Sequence, residues 1–527
     1  ALSAAPVPAP APPSGPPGGE AVKAEAVAFA QQLLSVTFQV AENYVRPVPR
    51  EELLYAALAG LYQGARLPVP ADLWPRLKKA LAATPPALLT VGPGLSMPLP
   101  PTDGPVVELL RAVREDVGAA EGLRGQSALL VCCRALARSL DPYSAVVTAE
   151  EQRRNVGLDQ ECEGVGLELA PSVGAGPLRV AGVQLGGPAQ RAGLRPGDEI
   201  THLDGRPAQD APPATQMRLR NRVPGMSAVL VPGGASGQLV PEVAPPAVRV
   251  TFRRSGAPPR TVALERECFR PETVLGVARR DDNAWEYFAD RERRIAHVRI
   301  ATLGQGTTDE LRGVLDDLKE DGMRGLVLDL RWCPGGFLTE ATGVAELFVG
   351  EGTLATVKAR GKEPTVYRST AEGKFLGFPL VVLVNGETMG GAELIAAALQ
   401  DHRRAVVVGQ RTLGKASVQT PIPLPMPGVG LKLTSGTFER PSGKNLHRFP
   451  DSKPADDWGV RPDADGEYRV SPELGRRLRE WWRRQSLRPG PSNERLPLDD
   501  PSADPQRQAA VEAAARLLEQ KTQARAK

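Results

Sequence analysis

The side chains that could do chemistry in this 527-residue chain are bounded first by its thiols and imidazoles. Five cysteines occur, Cys132, Cys133, Cys162, Cys268 and Cys333. An odd number closes no complete disulfide framework, and no CxxC spacing marks a metal site. Adjacent Cys132 and Cys133 lie in the apolar helical run SALLVCCRALARSL and read as core residues. The four histidines, His202, His297, His402 and His447, are scattered, and no HExxH pair is present, which argues against a zinc hydrolase. No metal and no cofactor is expected. Basic and acidic side chains number 65 and 61, giving a net charge of +4. That balance gives no footprint for nucleic acid, and the run Arg291 to Arg294 is broken by Glu292. No stretch reaches about 18 uninterrupted apolar residues, so no membrane-spanning helix is expected.

Whatever chemistry remains must be positioned by the surrounding elements. The chain starts at Ala1 and runs through APVPAPAPPSGPPGG, a tract that cannot pack a core. It reads either as a disordered tail or as the new end left by a removed secretory signal. Residues 21–155 follow a helical pattern. AVKAEAVAFAQQLLSVTFQVAENYV repeats apolar residues at three and four, and Pro49 introduces REELLYAALAGLYQGA. A polar, proline-rich stretch near 81–105 precedes two more helical runs, and Asp141-Pro142-Tyr143-Ser144 reads as a turn. Residues 156–268 switch to short strands between glycines: GVGLELA, LRVAGVQ, DEITHLDG, SAVLVP and VRVTFRR, with an inserted loop before the last. Residues 269–468 alternate strands such as RGLVLDLR and PLVVLVNG with helices such as TTDELRGVLDDLKEDG and GGAELIAAALQDH, the pattern of an α/β layer. Residues 469–527 form an extension: a basic, Trp-containing segment of undefined form at 471–500, then an amphipathic helix at 505–521.

The run Gly186-Gly187-Pro188-Ala189-Gln190-Arg191-Ala192-Gly193-Leu194-Arg195-Pro196-Gly197-Asp198-Glu199-Ile200 resembles the core of a PDZ domain. Gly164-Val165-Gly166-Leu167 then sits where such domains hold a terminal carboxylate. Backbone N–H groups converging on one point need glycines there, because side chains would obstruct the approach. The adjoining strand from Leu167 could pair with an extended peptide.

The remainder resembles the carboxy-terminal processing (tail-specific) serine proteases. The resemblance is carried by DPYSAVVTAEE, by the strand, helix and LDLRWCPGG loop, by AVVVGQRTLGKASVQ, and by LTSGTFERPSGKNL with Gly459-Val460-Arg461-Pro462-Asp463. It implies a multidomain α/β chain: a helical N-terminal region, a PDZ-like β-rich domain inserted before an α/β (ClpP/crotonase-like) protease core, and a C-terminal helix. It also implies a serine–lysine dyad, in which a neutral lysine takes the serine proton. The lysine matches Lys415 and a supporting glutamine matches Gln419. The serine position, 25 residues before the lysine, is Gly390, in Glu387-Thr388-Met389-Gly390-Gly391-Ala392-Glu393.

Glycine cannot form an acyl-enzyme. Thr388 is displaced by two residues, and Ser417 reads as structural. Gly335, Gly336 and Gly391 match the positions whose N–H groups would face a carbonyl oxygen. Cys333 replaces the family's asparagine and reads as a buried thiol rather than a substitute nucleophile. Lys415 could pair with Glu393 or with a bound carboxyl group. The chain is therefore expected to bind unstructured protein C-termini through the PDZ domain, with Ser–Lys catalysis lost or impaired. An endopeptidase with a non-standard nucleophile is the alternative. The resemblance further implies a bacterial periplasmic or envelope location and admits a homo-oligomer.

Overall fold

The computed structural model describes residues 19–84, 87–92, 95–99, 103–118, 120, 122–148, 162–169, 178–184, 186–210, 219, 247–269, 272–280, 284–370, 375–486 and 503–526. The proline-rich leader, SAVLVP and the inserted loop after it lie outside these residues. Two compact units emerge. One comprises residues 1–149 with 419–436, the other residues 150–418 with 437–527.

The first unit is helical, as the apolar spacing predicts. Helices Gly19–Asn43, Arg50–Gly64, Leu73–Ala82, Pro105–Val117 and Gln126–Leu140 enclose a core that includes Leu33, Leu54, Leu58, Leu61, Leu110 and Leu136. Gly60 lets helices Arg50–Gly64 and Gln126–Leu140 lie close together, since a Cβ there would lie 2.2 Å from the Ala135 Cβ. Cys132 and Cys133 are buried against this core, and burial raises both thiol pKa values, Cys133 to about 12. The 81–105 stretch is not structureless: Ala87–Gly92 and Leu95–Leu99 form an antiparallel hairpin. At the DPYS turn, Asp141 Oδ1 accepts the N–H groups of Tyr143 (2.6 Å) and Ser144 (2.7 Å). The strand that follows, Ala145–Thr148, pairs antiparallel with Val429 to Lys432, and Val45 N–H donates to Thr434 O. These pairings draw residues 419–436, which the sequence assigns to the α/β core, into the helical unit.

In the second unit, the PDZ-like sheet runs in the order Arg260–Glu265, Ala247–Arg253, Glu199–Leu203, Leu178–Val183, Leu167–Leu169. Strand Ala247–Arg253 shows the expected alternation, burying Val248, Val250 and Phe252. The α/β core has parallel neighbours Ile295–Ile300, Gly325–Asp329, Leu380–Val384 and Val406–Gly409. The first three bury every residue, as strands covered on both faces do. Leu326, Leu328, Leu380 and Val382 face helices Thr307–Glu320, Leu338–Glu346 and Gly391–Asp401. Ile295, Val327, Val381 and Leu383 face Ala509, Ala510, Ala513 and Ala514 of helix Pro505–Ala526. The C-terminal helix thus supplies the second layer of the core, although the sequence presents it as an appendage. The segment of undefined form contains helix Pro472–Ser486, which buries Leu478 and Trp482. Among the described residues no helix is long and apolar enough to cross a membrane.

A buried ion network fastens the last helix. Arg331, at the end of strand Gly325–Asp329, is fully buried, and its Nη1 and Nη2 donate to the two carboxylate oxygens of Asp504, both at 2.9 Å. The same guanidinium donates to Asp329, which also accepts the Arg331 N–H at 3.0 Å and meets the Nε2 of His297 at 3.1 Å. Burial opposes ionisation of Asp329, but Arg331 and the His297 hydrogen bond hold its carboxyl well below the usual range. Asp504 also accepts the Arg507 N–H at 3.1 Å, at the start of the helix. Removing one member of such a set leaves a buried charge uncompensated. Asp504→Ala is expected to destabilise the second unit by about 3–5 kcal/mol, read as a lowered urea midpoint for loss of helicity in the full chain.

Candidate active site and peptide-binding edge

The elbow where the sequence reading expects a nucleophile position joins buried strand Leu380–Val384 to helix Gly391–Asp401. Its turn is closed by its own polar groups. Asn385 N–H donates to Thr388 Oγ1 at 3.0 Å, and that hydroxyl donates to Leu330 O at 2.8 Å. Asn385 Oδ1 accepts the N–H groups of Glu387 and Trp332, both at 3.1 Å, and Met389 N–H donates to Cys333 O at 3.1 Å. Thr388 is fully buried, and its hydroxyl is committed to the turn.

Gly390 follows with φ 63° and ψ −128°. A side chain in this region of φ/ψ space costs on the order of 1–3 kcal/mol; glycine adopts it freely. Space is not what forbids a side chain, because a Cβ at Gly390 would meet Pro334 O at an ordinary 3.4 Å. The turn joins strand to helix with the left-handed backbone that glycine favours.

The loop bearing Gly335 and Gly336 lies directly against this turn. A Cβ on Gly335 would come within 2.8 Å of the Gly391 nitrogen, and one on Gly336 within 2.2 Å of Leu303 O. Leu303 N–H donates to Gly335 O at 2.8 Å and Phe337 N–H to Leu303 O at 2.9 Å, fixing the loop from both sides. The Cys333 thiol is fully buried, and burial pushes it up to about 12 despite a hydrogen bond from the Gly335 backbone. It is no thiolate at neutral pH.

Glu393, in the first turn of the elbow helix, is fully buried and joins the two loops. Its Oε2 accepts the N–H of Gly390 at 3.1 Å and of Lys415 at 2.7 Å. Its Oε1 accepts the N–H of Gly414 at 2.7 Å and the hydroxyl of Thr412 at 2.5 Å. The Thr412 hydroxyl oxygen in turn accepts Val460 N–H at 2.7 Å, which directs its proton to Glu393. Lys415 itself is half-buried. Glu393 holds this residue by its backbone N–H. Leu413 N–H donates to Thr388 O at 3.0 Å, a second tie between lysine loop and elbow. Gly414, at φ 84°, lets the loop pass Arg448 and Trp458, since a Cβ there would lie 2.6 Å from the Arg448 Cβ. Gln419 belongs to the helical unit, where its Nε2 donates to Thr434 Oγ1 at 2.9 Å. Ser417 opens strand Ser417–Pro423.

In the PDZ-like sheet, Gly164 pairs with Glu267, Val165 is buried and its carbonyl accepts Ala189 N–H at 2.9 Å. Gly166 has φ 73°, and a Cβ there would approach Gly187 Cα to 3.3 Å. Leu167–Leu169 pairs on one side with Leu178–Val183 and ends the strand order, so among the described residues its outer edge meets no other strand.

Sequence reasoning did not single out Thr412, though it stands inside the quoted lysine motif, nor the ion pair of Arg479 with Glu387, which anchors helix Pro472–Ser486 beside the elbow. No spacing in the sequence signals that pair.

Residues 294–465 match the model of peptidase family S41, and residues 179–224 that of a PDZ domain. The chloroplastic C-terminal processing peptidase of Tetradesmus obliquus is 30% identical over 318 residues, covering 59% of this chain and 61% of that protein. The carboxy-terminal-processing protease of Bartonella bacilliformis is 28% identical over 336 residues, covering 62% and 66%. The matches thus span less than two thirds of these relatives' length. A solved structure titled photosystem II D1 C-terminal processing protease aligns at 23% identity and TM-score 0.37, over 81% of this chain and 95% of that one.

Burial pushes the Glu393 carboxyl up to about 7, against the pull of its four donors. A carboxyl raised in the folded state lends stability that is complete below its unfolded pKa of about 4.5 and is lost as pH rises through about 7. Glu393→Ala strands the donors, so at pH 5 it is expected to cost about 3 kcal/mol or more. The gap to the natural chain should narrow by pH 8, as read from urea midpoints at the two pH values.

Proposed function

With an S41 peptidase core at residues 294–465 behind a PDZ domain at 179–224, we propose that this chain binds the C-terminal tails of unstructured proteins and does not cleave them. One observation carries the reading: Gly390 occupies the strained turn where the mechanism needs a hydroxyl. A lysine base acts by taking a proton from a nucleophile, and here the backbone offers none. The nearby candidates do not supply one. Thr388 Oγ1 is spent inside the turn, and Cys333 is a buried thiol with a raised pKa. Losing the nucleophile of a serine hydrolase removes on the order of 10⁶ in kcat, equivalent to about 8 kcal/mol of transition-state stabilisation.

The binding half of the reading rests on the edge strand Leu167–Leu169 and the glycine turn before it. An added peptide strand would gain main-chain hydrogen bonds along that edge, and the turn would receive its terminal carboxylate. The product is a scaffold or adaptor that captures tails. Its relatives include bacterial proteases, with which a periplasmic or cell-envelope location is compatible.

The test uses a fluorogenic peptide ending in a free carboxylate. The natural chain is expected to bind it at least about tenfold more tightly than its amidated form and to show no turnover above buffer. Gly390→Ser is expected to gain measurable cleavage, abolished again by adding Lys415→Ala. It should also lose about 1–3 kcal/mol of stability to backbone strain. Turnover by the natural chain that vanishes with Lys415→Ala alone would refute the loss of catalysis. Equal affinity for free and amidated peptides would refute the binding role.

A further inference from the structure

At the far end of the elbow helix from Gly390, a cavity of about 400 Å³ opens between that helix's C-terminus, the start of strand Leu380–Val384 and the C-terminal helix. This volume lies in the range of small-molecule sites. Its walls combine apolar surface from Phe378, Val406 and Leu517 with three cations, Arg403, Arg404 and Lys521. One acid, Asp463, stands against them, and both its oxygens are occupied: Oδ1 accepts Gln400 Nε2 at 2.9 Å and Oδ2 accepts Val407 N–H at 2.7 Å.

Cations near a helix C-terminus ordinarily complement its unsatisfied carbonyls. That role is already filled here by backbone. The N–H of His402 reaches Ala398 O, that of Arg403 reaches Gln400 O, and that of Arg404 reaches Leu399 O. The Arg404 guanidinium turns elsewhere. Its Nη2 donates to Phe375 O at 2.8 Å, and its plane lies 5.4 Å from the Phe378 ring centroid. Its Nε is buried and meets no acceptor among the described residues. Burial lowers its pKa to about 10. Arg403 is exposed at the rim, with left-handed backbone at φ 52°. No carboxylate among the described residues forms an ion pair with Arg403 or Arg404. A partly desolvated guanidinium without a counter-ion favours an anion, and the apolar wall favours a body that can be buried beside it.

We propose that this cavity binds a carboxylate carried on an apolar body. Two sources share that chemistry, a free alkyl acid and the end of a peptide with an apolar last residue. Titration calorimetry on the full chain with octanoate, octanol and N-acetylleucine separates them. At least one of the two acids is expected to bind saturably. Octanoate binding alone would identify the alkyl acid as the source, N-acetylleucine binding alone the peptide end, and either supports the site. Whichever acid binds should weaken about tenfold in Arg403→Glu, an exposed substitution that leaves the core intact, and in Arg404→Gln. The N-acetylleucine arm could also report the PDZ edge, but only binding at the cavity responds to Arg403→Glu. Absence of saturable binding by both acids, octanol binding as tightly as octanoate, or affinities unchanged in Arg403→Glu would each overturn the proposal.

Discussion

The geometry of the candidate site depends on one buried carboxylate. Glu393 takes two backbone N–H groups from the lysine loop, one from Gly390 at the elbow and the hydroxyl of Thr412. In its ionised form the group offers about four acceptor directions, and all are filled. Neither loop can shift without stranding a donor in a dry environment, where an unmet hydrogen bond costs far more than a made one gains. Elbow and lysine loop therefore behave as one rigid piece, and that piece remains whether or not a nucleophile is present.

The shape of this turn does not depend on a side chain at 390. A serine at Gly390 would have to sit at φ 63°, where side chains are strained. Glycine removes that strain, and the supporting contacts of Gly335, Gly336 and Leu303 persist because they are backbone contacts that do not involve the side chain at 390. Glycine at 390 is therefore the unstrained choice for this backbone.

A second set of buried charges does for the layers what Glu393 does for the loops. The Asp329–Arg331–Asp504 network lies two residues from Cys333 and its glycine loop and binds the start of the C-terminal helix. That helix covers one face of the parallel sheet with alanines, small enough to let it lie close to Val327 and Val381. The loop against which the elbow packs is thus braced by residues more than 170 positions later in the chain.

Much was legible in order along the chain. Local periodicity marked the main helices and the parallel strands, because burying an apolar face imposes a repeat that residues show individually. Motif spacing brought Gly390 to the elbow and Lys415 to the neighbouring loop, and the run PAQRAGLRPGDEI marked the PDZ-type sheet. Other features became visible only in three dimensions. The hairpin at 87–99 arises in a stretch whose prolines suggested none, and residues 419–436 leave the α/β core by pairing with strand Ala145–Thr148. Trp482 becomes a core residue, although two arginines follow it directly. Glu393 was named from its motif, but its role as a clasp on Gly414 and Lys415 appears only once those loops converge. Sequence alone determined that position 390 carries no side chain, since that is a matter of identity and count. Which groups hold the empty position in place was decided by tertiary structure, because a buried hydrogen bond belongs to residues that meet in space, and their separation along the chain says nothing of it.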